Sequence, residues 1–399
     1  LLIMKILAVS TWFPYPPDNG SKMRAYHLLR HLGERHRLDL LAMRQSDDDL
    51  IHLDRVRAFC RRVNTYREPE FRPSGLGGIA AFFSPVPRYF QAHHSPGLDA
   101  ELREWSWGEQ YDAIIAVTLG AAPYVAPLRT FARKILDEHN VESQVIKRRS
   151  REERSLLTRL RYLPTWVKAE SYERMLASRF DAVSVVSEQE QDLFRALLRG
   201  GKPISAVIPN GIDPALLEYH GTARESDLLI FTGALSYGPN RDAAECLCRD
   251  ILPLVRRHVP RAKLRITGRV SDADREAFAS LDSAVELTGY VDDVRPCIAS
   301  ASVMVAPMRL GGGTRLKILE AMGLGTPVVT TRMGAEGIPV TDGRDILLAD
   351  TPEEMAGAVI RILRDPATAE EIGRNARELV RERFQWPAIA AEFERLVCG

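Results

Sequence analysis

Ala306-Pro307-Met308-Arg309-Leu310-Gly311-Gly312-Gly313-Thr314-Arg315-Leu316-Lys317-Ile318-Leu319-Glu320 is the stretch on which the reading of this chain turns. A short apolar run, Val303 to Ala306, stops at Pro307, three glycines follow, and an amphipathic helix is expected from about Thr314. Glycines let a backbone approach a ligand closely and take positive φ. The unpaired N–H groups that open a helix, together with its dipole, attract an anion. Arg309 and Lys317 bracket the loop with positive charge, and Glu320 leaves the same helical face as Lys317. Cations for a pyrophosphate and a carboxylate for ribose hydroxyls point to a nucleoside diphosphate. No Gly-Lys-Ser/Thr closes the loop as in a Walker A, and the Gly-x-Gly-x-x-Gly dinucleotide spacing is absent.

Outward from this loop, the chain alternates short apolar runs with helical patterns, the signature of parallel α/β domains. In the first half the expected strands are Met4–Ser10, Leu38–Met43, Ala113–Val117, Lys134–Asp137, Ala182–Val186 and Ser205–Ile208. A long helical stretch runs from about Glu142 to Ser178, with a break expected at Pro164. After a turn at Pro209-Asn210-Gly211-Ile212-Asp213-Pro214 the alternation restarts with Leu228–Phe231, Lys263–Ile266, Val285–Leu287, Val303–Ala306 and Val328–Thr331. The reading is two doubly wound domains, 1–213 and 214–383, followed by a helix at 384–399 that starts afresh at Trp386-Pro387 and returns to the first domain. Two such domains facing one another would share a cleft at their strand C-termini.

Composition bounds the rest. A chain of 399 residues, 45% apolar, suits two domains, and a net charge of +1 exerts no pull toward nucleic acid. Five scattered cysteines outline neither a zinc site nor a disulfide framework. No apolar run approaches a membrane span and no signal peptide is seen, so a cytoplasmic location is expected. Charge is uneven: Arg57, Arg61, Arg62, Arg67 and Arg72 form one cluster, and Lys147, Arg148, Arg149, Arg151, Arg154, Arg159 and Arg161 another. The second carries Leu156, Leu157, Leu160, Tyr162 and Trp166. A basic amphipathic helix can lie peripherally on an anionic membrane, although a surface helix packing its leucines inward is the favoured reading. Asp47-Asp48-Asp49 reads as a solvated turn opening a helix, and His93-His94 as surface residues.

Two further loops follow first-domain strands. Thr11 to Arg24 stiffens through Pro14, Pro16 and Pro17, turns at Asn19-Gly20, and offers Ser21 as a helix cap. Lys22 and Arg24 fall in the first helical turn, where cations oppose the dipole unless an anion is near. Asp137-Glu138-His139-Asn140 sets four hydrogen-bonding side chains at a strand end, where they could orient sugar hydroxyls.

Together these stretches resemble the retaining glycosyltransferases of family 4. The resemblance rests on Tyr15-Pro16-Pro17-Asp18-Asn19-Gly20, Asp137-Glu138-His139-Asn140, Pro209-Asn210-Gly211-Ile212-Asp213, Phe231-Thr232-Gly233-Ala234, Thr288-Gly289-Tyr290-Val291-Asp292-Asp293-Val294 and Glu320-Ala321-Met322-Gly323-Leu324-Gly325-Thr326-Pro327. Bacterial exopolysaccharide-type sugar transferases look most similar. It implies the GT-B fold, α/β with two facing Rossmann-like domains and the donor cleft between them. It also implies transfer of a sugar, with retention, from a nucleotide-diphosphate sugar to a glycan, lipid-linked or small-molecule hydroxyl.

By the resemblance, Glu320 would bind the donor ribose, and Arg309 and Lys317 the pyrophosphate, helped by N–H groups of Gly311, Gly312, Gly313 and Thr314. Gly20 would approach the donor phosphate, and His139 the transferred sugar. Tyr290 and Val291 would meet the nucleobase, with Arg269 nearby. Asp18, Asn19, Lys22, Arg24, Glu138 and Asn140 fall on the acceptor side. Two departures stand out. Gly312 replaces the first carboxylate of the family's Glu-x7-Glu motif, and Ala234 with Asn240-Arg241 replaces an Arg and a Lys, leaving Arg241 as a donor-side cation. Neither a metal nor a cofactor is expected. A nucleotide-sugar epimerase on the same fold, or a degenerate nucleotide-sugar-binding protein, are the alternatives.

Overall fold

The computed structural model describes residues 2–69, 84–87, 90–91, 94–152, 156–219, 221, 223–279, 281–311 and 313–399, and within these leaves out the side chains of 149, 151, 152, 156–163 and 279. The chain separates into two compact units, one of Leu1–Asn210 with Pro387–Gly399, the other of Gly211–Trp386.

The first unit holds β1 (Lys5–Ser10), β2 (Arg37–Arg44), β3 (Arg62–Arg67), β4 (Ala113–Val117), β5 (Arg133–Asp137), β6 (Ala182–Val185) and β7 (Ile204–Val207). They form one parallel sheet in the order β3-β2-β1-β4-β5-β6-β7. Ile6 to Val9 and Ala113 to Ala116 have no exposed surface, because helices cover both faces of a parallel sheet. The second unit repeats the design with β8 (Leu228–Thr232), β9 (Lys263–Thr267), β10 (Val285–Gly289), β11 (Val303–Ala306), β12 (Val328–Thr330) and β13 (Leu347–Leu348). Their order is β10-β9-β8-β11-β12-β13. In each sheet the order reverses beside the first strand, at β1/β4 and at β8/β11, and ligands of open α/β sheets bind at such reversals.

Three expectations are corrected. β3 stands where a basic cluster was read: Arg61 and Arg62 pair with Asp39 and Glu109, which neutralises the charge and lets this segment serve as an edge strand. β13, two residues long, carries no alternation to read. The expected break at Pro164 is absent: the helix Leu156–Ala177 carries Pro164 in its interior, on the exposed side, where water can satisfy the carbonyl that loses its partner. The Asp47 triplet does open a short helix, capped by Ser46 and Asp49, and the last helix spans Trp386–Cys398. Of the second basic cluster, Arg149, Arg151, Arg159 and Arg161 have side chains outside the described residues, and Arg154, like Arg72 and His93, lies outside them entirely.

Candidate functional site

In the second unit the connections leaving β8 and β11 carry the glycines. Gly233 sits at φ 144, and a Cβ there would lie 2.6 Å from Asn240 Nδ2 and 2.8 Å from Lys317 Nζ. Gly268, at φ 148, packs directly on the Gly233 carbonyl. The N–H of Gly233 donates to Thr267 O (2.8 Å) and that of Gly268 to Gly289 O (3.0 Å), so the ends of β8, β9 and β10 are stitched together. Across the reversal, Gly311 (φ 98) and Gly313 (φ 72) use the left-handed region; Gly312 lies outside the described residues. A Cβ on Gly311 would stand 3.6 Å from the Tyr237 hydroxyl, which brings the two loops side by side.

The helix after the glycines, Leu316–Gly323, begins two residues later than expected, with Arg315 at its N-cap. The Arg315 guanidinium turns back onto Gly313 O and Leu310 O and so braces the loop. Thr314 is 9% exposed, and its buried Oγ1 has no hydrogen-bond partner among the described residues. Lys317 Nζ donates to Asn240 Oδ1 (2.7 Å) and lies 4.1 Å from the centre of the Phe231 ring. Burial, reinforced by Arg315 and opposed by Glu320, pushes this amine down to about 7. Burial pushes the Glu320 carboxyl up, with Lys317 opposing.

Two expected phosphate cations are committed elsewhere. Arg309, half exposed, donates to Asp242 through Nη2 (2.8 Å) and Nε (3.1 Å). Arg241 pairs with Asp274 and, at 3.1 Å, with Glu245. The cation that the structure sets against the Gly233 loop is Lys317, and the one beside Gly311 is Arg315. Tyr290 is 59% exposed with the Arg269 guanidinium 5.4 Å from its ring centre, and Val291, half-buried, follows it.

In the first unit, Asp137 at the end of β5 is the hub. It accepts from Arg24 Nη2 (2.7 Å) and Nε (3.0 Å), Ser184 Oγ (2.6 Å) and His139 Nε2 (3.1 Å). Burial would raise this carboxyl, but Arg24 and His139 outweigh it and hold it below the usual carboxylate range. Arg24 has no exposed surface and spends Nη1 on Ile208 O, Pro209 O and Asn210 Oδ1. Its expected acceptor-side role is therefore corrected: the anion that excuses a cation in this helical turn is Asp137. Lys22 likewise pairs with Asp18 (3.6 Å). Asn19, not Ser21, caps the helix Gly20–Arg35 by accepting from Lys22 N, which leaves Ser21 Oγ 3.2 Å from His139 Nδ1. Both ring nitrogens of His139 are thus engaged.

Glu138 is 2% exposed, and its Oε2, like Asn140 Oδ1, is buried without a partner among the described residues. Burial and the neighbouring Glu173 raise the Glu138 carboxyl well above its ordinary value. Between β1 and β5, Thr118 at the end of β4 holds φ 70, a strained value for a β-branched residue, while its N–H donates to Asp137 O (2.9 Å).

Among the described residues, one cluster has metal-ligand spacing, His36, Glu394 and Cys398. Met4 N donates to His36 Nδ1 (3.3 Å), so the neutral ring carries its proton on Nε2 and donates to Glu394. Glu394 also accepts from His31 and Arg35. These are an ion network's contacts, unsuited to a cation.

The description "Glycosyl transferase 4-like domain" matches residues 19–211, and "Glycosyl transferases group 1" matches residues 226–365. The chain belongs to the family 4 type of glycosyltransferases. This glycosyltransferase is 23% identical over 389 residues to a 44.6 kDa protein of the Klebsiella pneumoniae cps region, covering 95% of this chain and 96% of that one. It is 31% identical over 200 residues to a phosphatidyl-myo-inositol mannosyltransferase of Mycolicibacterium smegmatis, covering 47% of this chain and 50% of that protein. Its fold is similar to Anabaena Alr3699/HepE, crystallised in complex with UDP and glucose, with a TM-score of 0.69, 17% identity and 99% of both chains covered. The fold is GT-B.

Sequence reasoning assigned Arg315 no role and treated Asn240 only as the occupant of a lost cation's region. The signal for Arg315 was present, a long cation two residues behind the last of three glycines. Asn240 carried none, since its value comes from a partner 77 residues away.

Proposed function

We propose that this glycosyltransferase moves a sugar from a nucleotide-diphosphate sugar to a hydroxyl acceptor, with retention and without a metal. The observation that carries the reading is Lys317 set against the Gly233 loop at the β8/β11 reversal, on the helix that follows the Gly311 connection, with Glu320 one turn deeper on that helix. As the sugar–phosphate bond breaks, negative charge grows on the departing diphosphate. The Lys317 amine and the N–H groups from Gly313 onward are arranged to meet that charge, which favours the transition state over the ground state. Glu320, the residue the resemblance assigns to the ribose, supports a nucleotide as the carrier. The UDP and glucose bound by Alr3699/HepE support the same donor class.

In the first unit, His139, Asn140 and Glu138 are the side chains proposed to serve the transferred sugar and the acceptor. Asn19 and Gly20 shape the loop beside them. His139 is oriented for this by Asp137 and Ser21. The test is a panel of UDP-, GDP- and ADP-hexoses incubated with and without glycan and lipid-linked acceptors, following nucleoside diphosphate release in EDTA. Acceptor-dependent release from one nucleotide class, with the anomeric configuration kept by NMR, is expected. Conversion of the donor sugar without an acceptor would instead favour an epimerase, and loss of release in EDTA would overturn metal independence.

A further inference from the structure

Lys317, proposed above to meet the donor's diphosphate, has surroundings that pull its charge in both directions. Its half-buried position and Arg315 disfavour the ammonium, while the Phe231 ring face, 4.1 Å from Nζ, and Glu320 favour it; Nζ rests against Gly233 and donates to Asn240 Oδ1 at 2.7 Å. Asn240 is itself fixed: it is 8% exposed, and its Nδ2 donates to Ala234 O at 3.0 Å. This second bond settles which end of the amide faces the lysine. A single side chain, in the first turn of the helix Gly238–Cys246, thus holds both the loop after Gly233 and the amine of the neighbouring helix. The charged groups acting on Lys317 are Arg315, which opposes its protonation, and Glu320, which favours it.

We propose that Asn240 is a positioning residue that keeps the Lys317 amine against the Gly233 loop, so that the amine takes up a proton when the donor's diphosphate arrives. The balance is simple: a proton from solvent joins the Nζ lone pair, and the ammonium formed faces the phosphate oxygens. A neutral amide as the holder is what makes the uptake depend on the ligand. A carboxylate there would charge the lysine beforehand, and an apolar side chain would leave it without a fixed direction. With the free amine near 7, affinity for the diphosphate falls as pH rises above neutrality, by up to about tenfold per unit.

The inference rests on the donor reading above, and its test separates the two. In the ligand-free protein, the Lys317 Cε resonance, assigned with Lys317→Arg, is titrated in wild type, Asn240→Asp and Asn240→Leu. A midpoint near neutrality is expected in wild type, shifted up in Asn240→Asp and down in Asn240→Leu. UDP, GDP and ADP are then titrated at pH 8 by calorimetry in buffers of different ionisation enthalpy. Wild type should take up close to one proton per nucleotide bound, Asn240→Asp almost none with affinity kept, and Asn240→Leu should bind at least tenfold more weakly. A merely structural role would weaken both variants alike without moving the midpoint. A midpoint indifferent to Asn240, or binding without proton uptake, overturns the inference. A coupled midpoint with no nucleotide bound overturns the donor reading and the delivery step with it.

Discussion

Lys317 and Gly233 show how much of the site depends on single atoms. Replacing Lys317 by Met removes the cation that lies against the Gly233 loop and should cost about 10²–10³ in kcat, as loss of one preorganised group does elsewhere; steady-state kinetics reads it directly. Gly233→Ala would drive a methyl group into Asn240 and Lys317 at a φ that side chains avoid. A loss of about 1–3 kcal/mol in urea unfolding is expected, with donor binding impaired beyond it. Glu138 offers a test of sign. Its carboxyl is raised in the folded protein, so native protein keeps a proton that unfolded chain loses above about pH 4.5, and stability declines as pH rises beyond that value. Glu138→Gln should therefore be more stable than wild type at pH 8, with the advantage shrinking toward pH 5. Of these residues, Lys317 was legible because it follows a glycine loop. The burial of Arg24 was not, since nothing in Lys22-Met23-Arg24 reveals that Asp137, 113 residues later, closes over it.

At the scale of elements, strands buried on both faces announce themselves. Ala113–Val117 and Val303–Ala306 fall where the apolar runs place them, because a central parallel strand needs nonpolar side chains on each face. Edges obey weaker rules. β3 reads as charge until Asp39 and Glu109 are seen to neutralise it, and β13 is too short to show a period. The connection between β5 and the helix Gly20–Arg35 runs through the Arg24–Asp137 pair, whose removal from one side would strand a buried charge. Asp137→Asn should cost about 3–5 kcal/mol in chemical unfolding. Because the Asp137 carboxyl is depressed in the folded state, the stability it contributes is present above about pH 4 and is lost as pH falls below it. The acid limb of the wild-type profile should accordingly be flatter in the variant.

On the scale of the whole molecule, the same winding occurs twice: the strained Thr118 stands beside the reversal of one sheet, with Glu138 at the end of the next strand, and Gly233 with Lys317 stands at the reversal of the other. The chain returns to its first unit through the helix Trp386–Cys398, whose Glu394 accepts from His31, Arg35 and His36. Glu394→Ala should lower the Tm and open the first unit to protease before the second. Among the described residues no helix is long and apolar enough to cross a membrane. The central claim is that the β8/β11 reversal of the second unit is a nucleoside diphosphate site built around Lys317. Calorimetric titration of UDP, GDP and ADP into wild type and Lys317→Met at pH 7 tests it most directly. Micromolar binding of one nucleotide, weakened at least tenfold by the substitution in a protein whose Tm is unchanged, is the predicted result. Equal binding by both proteins, or none by either, would contradict it.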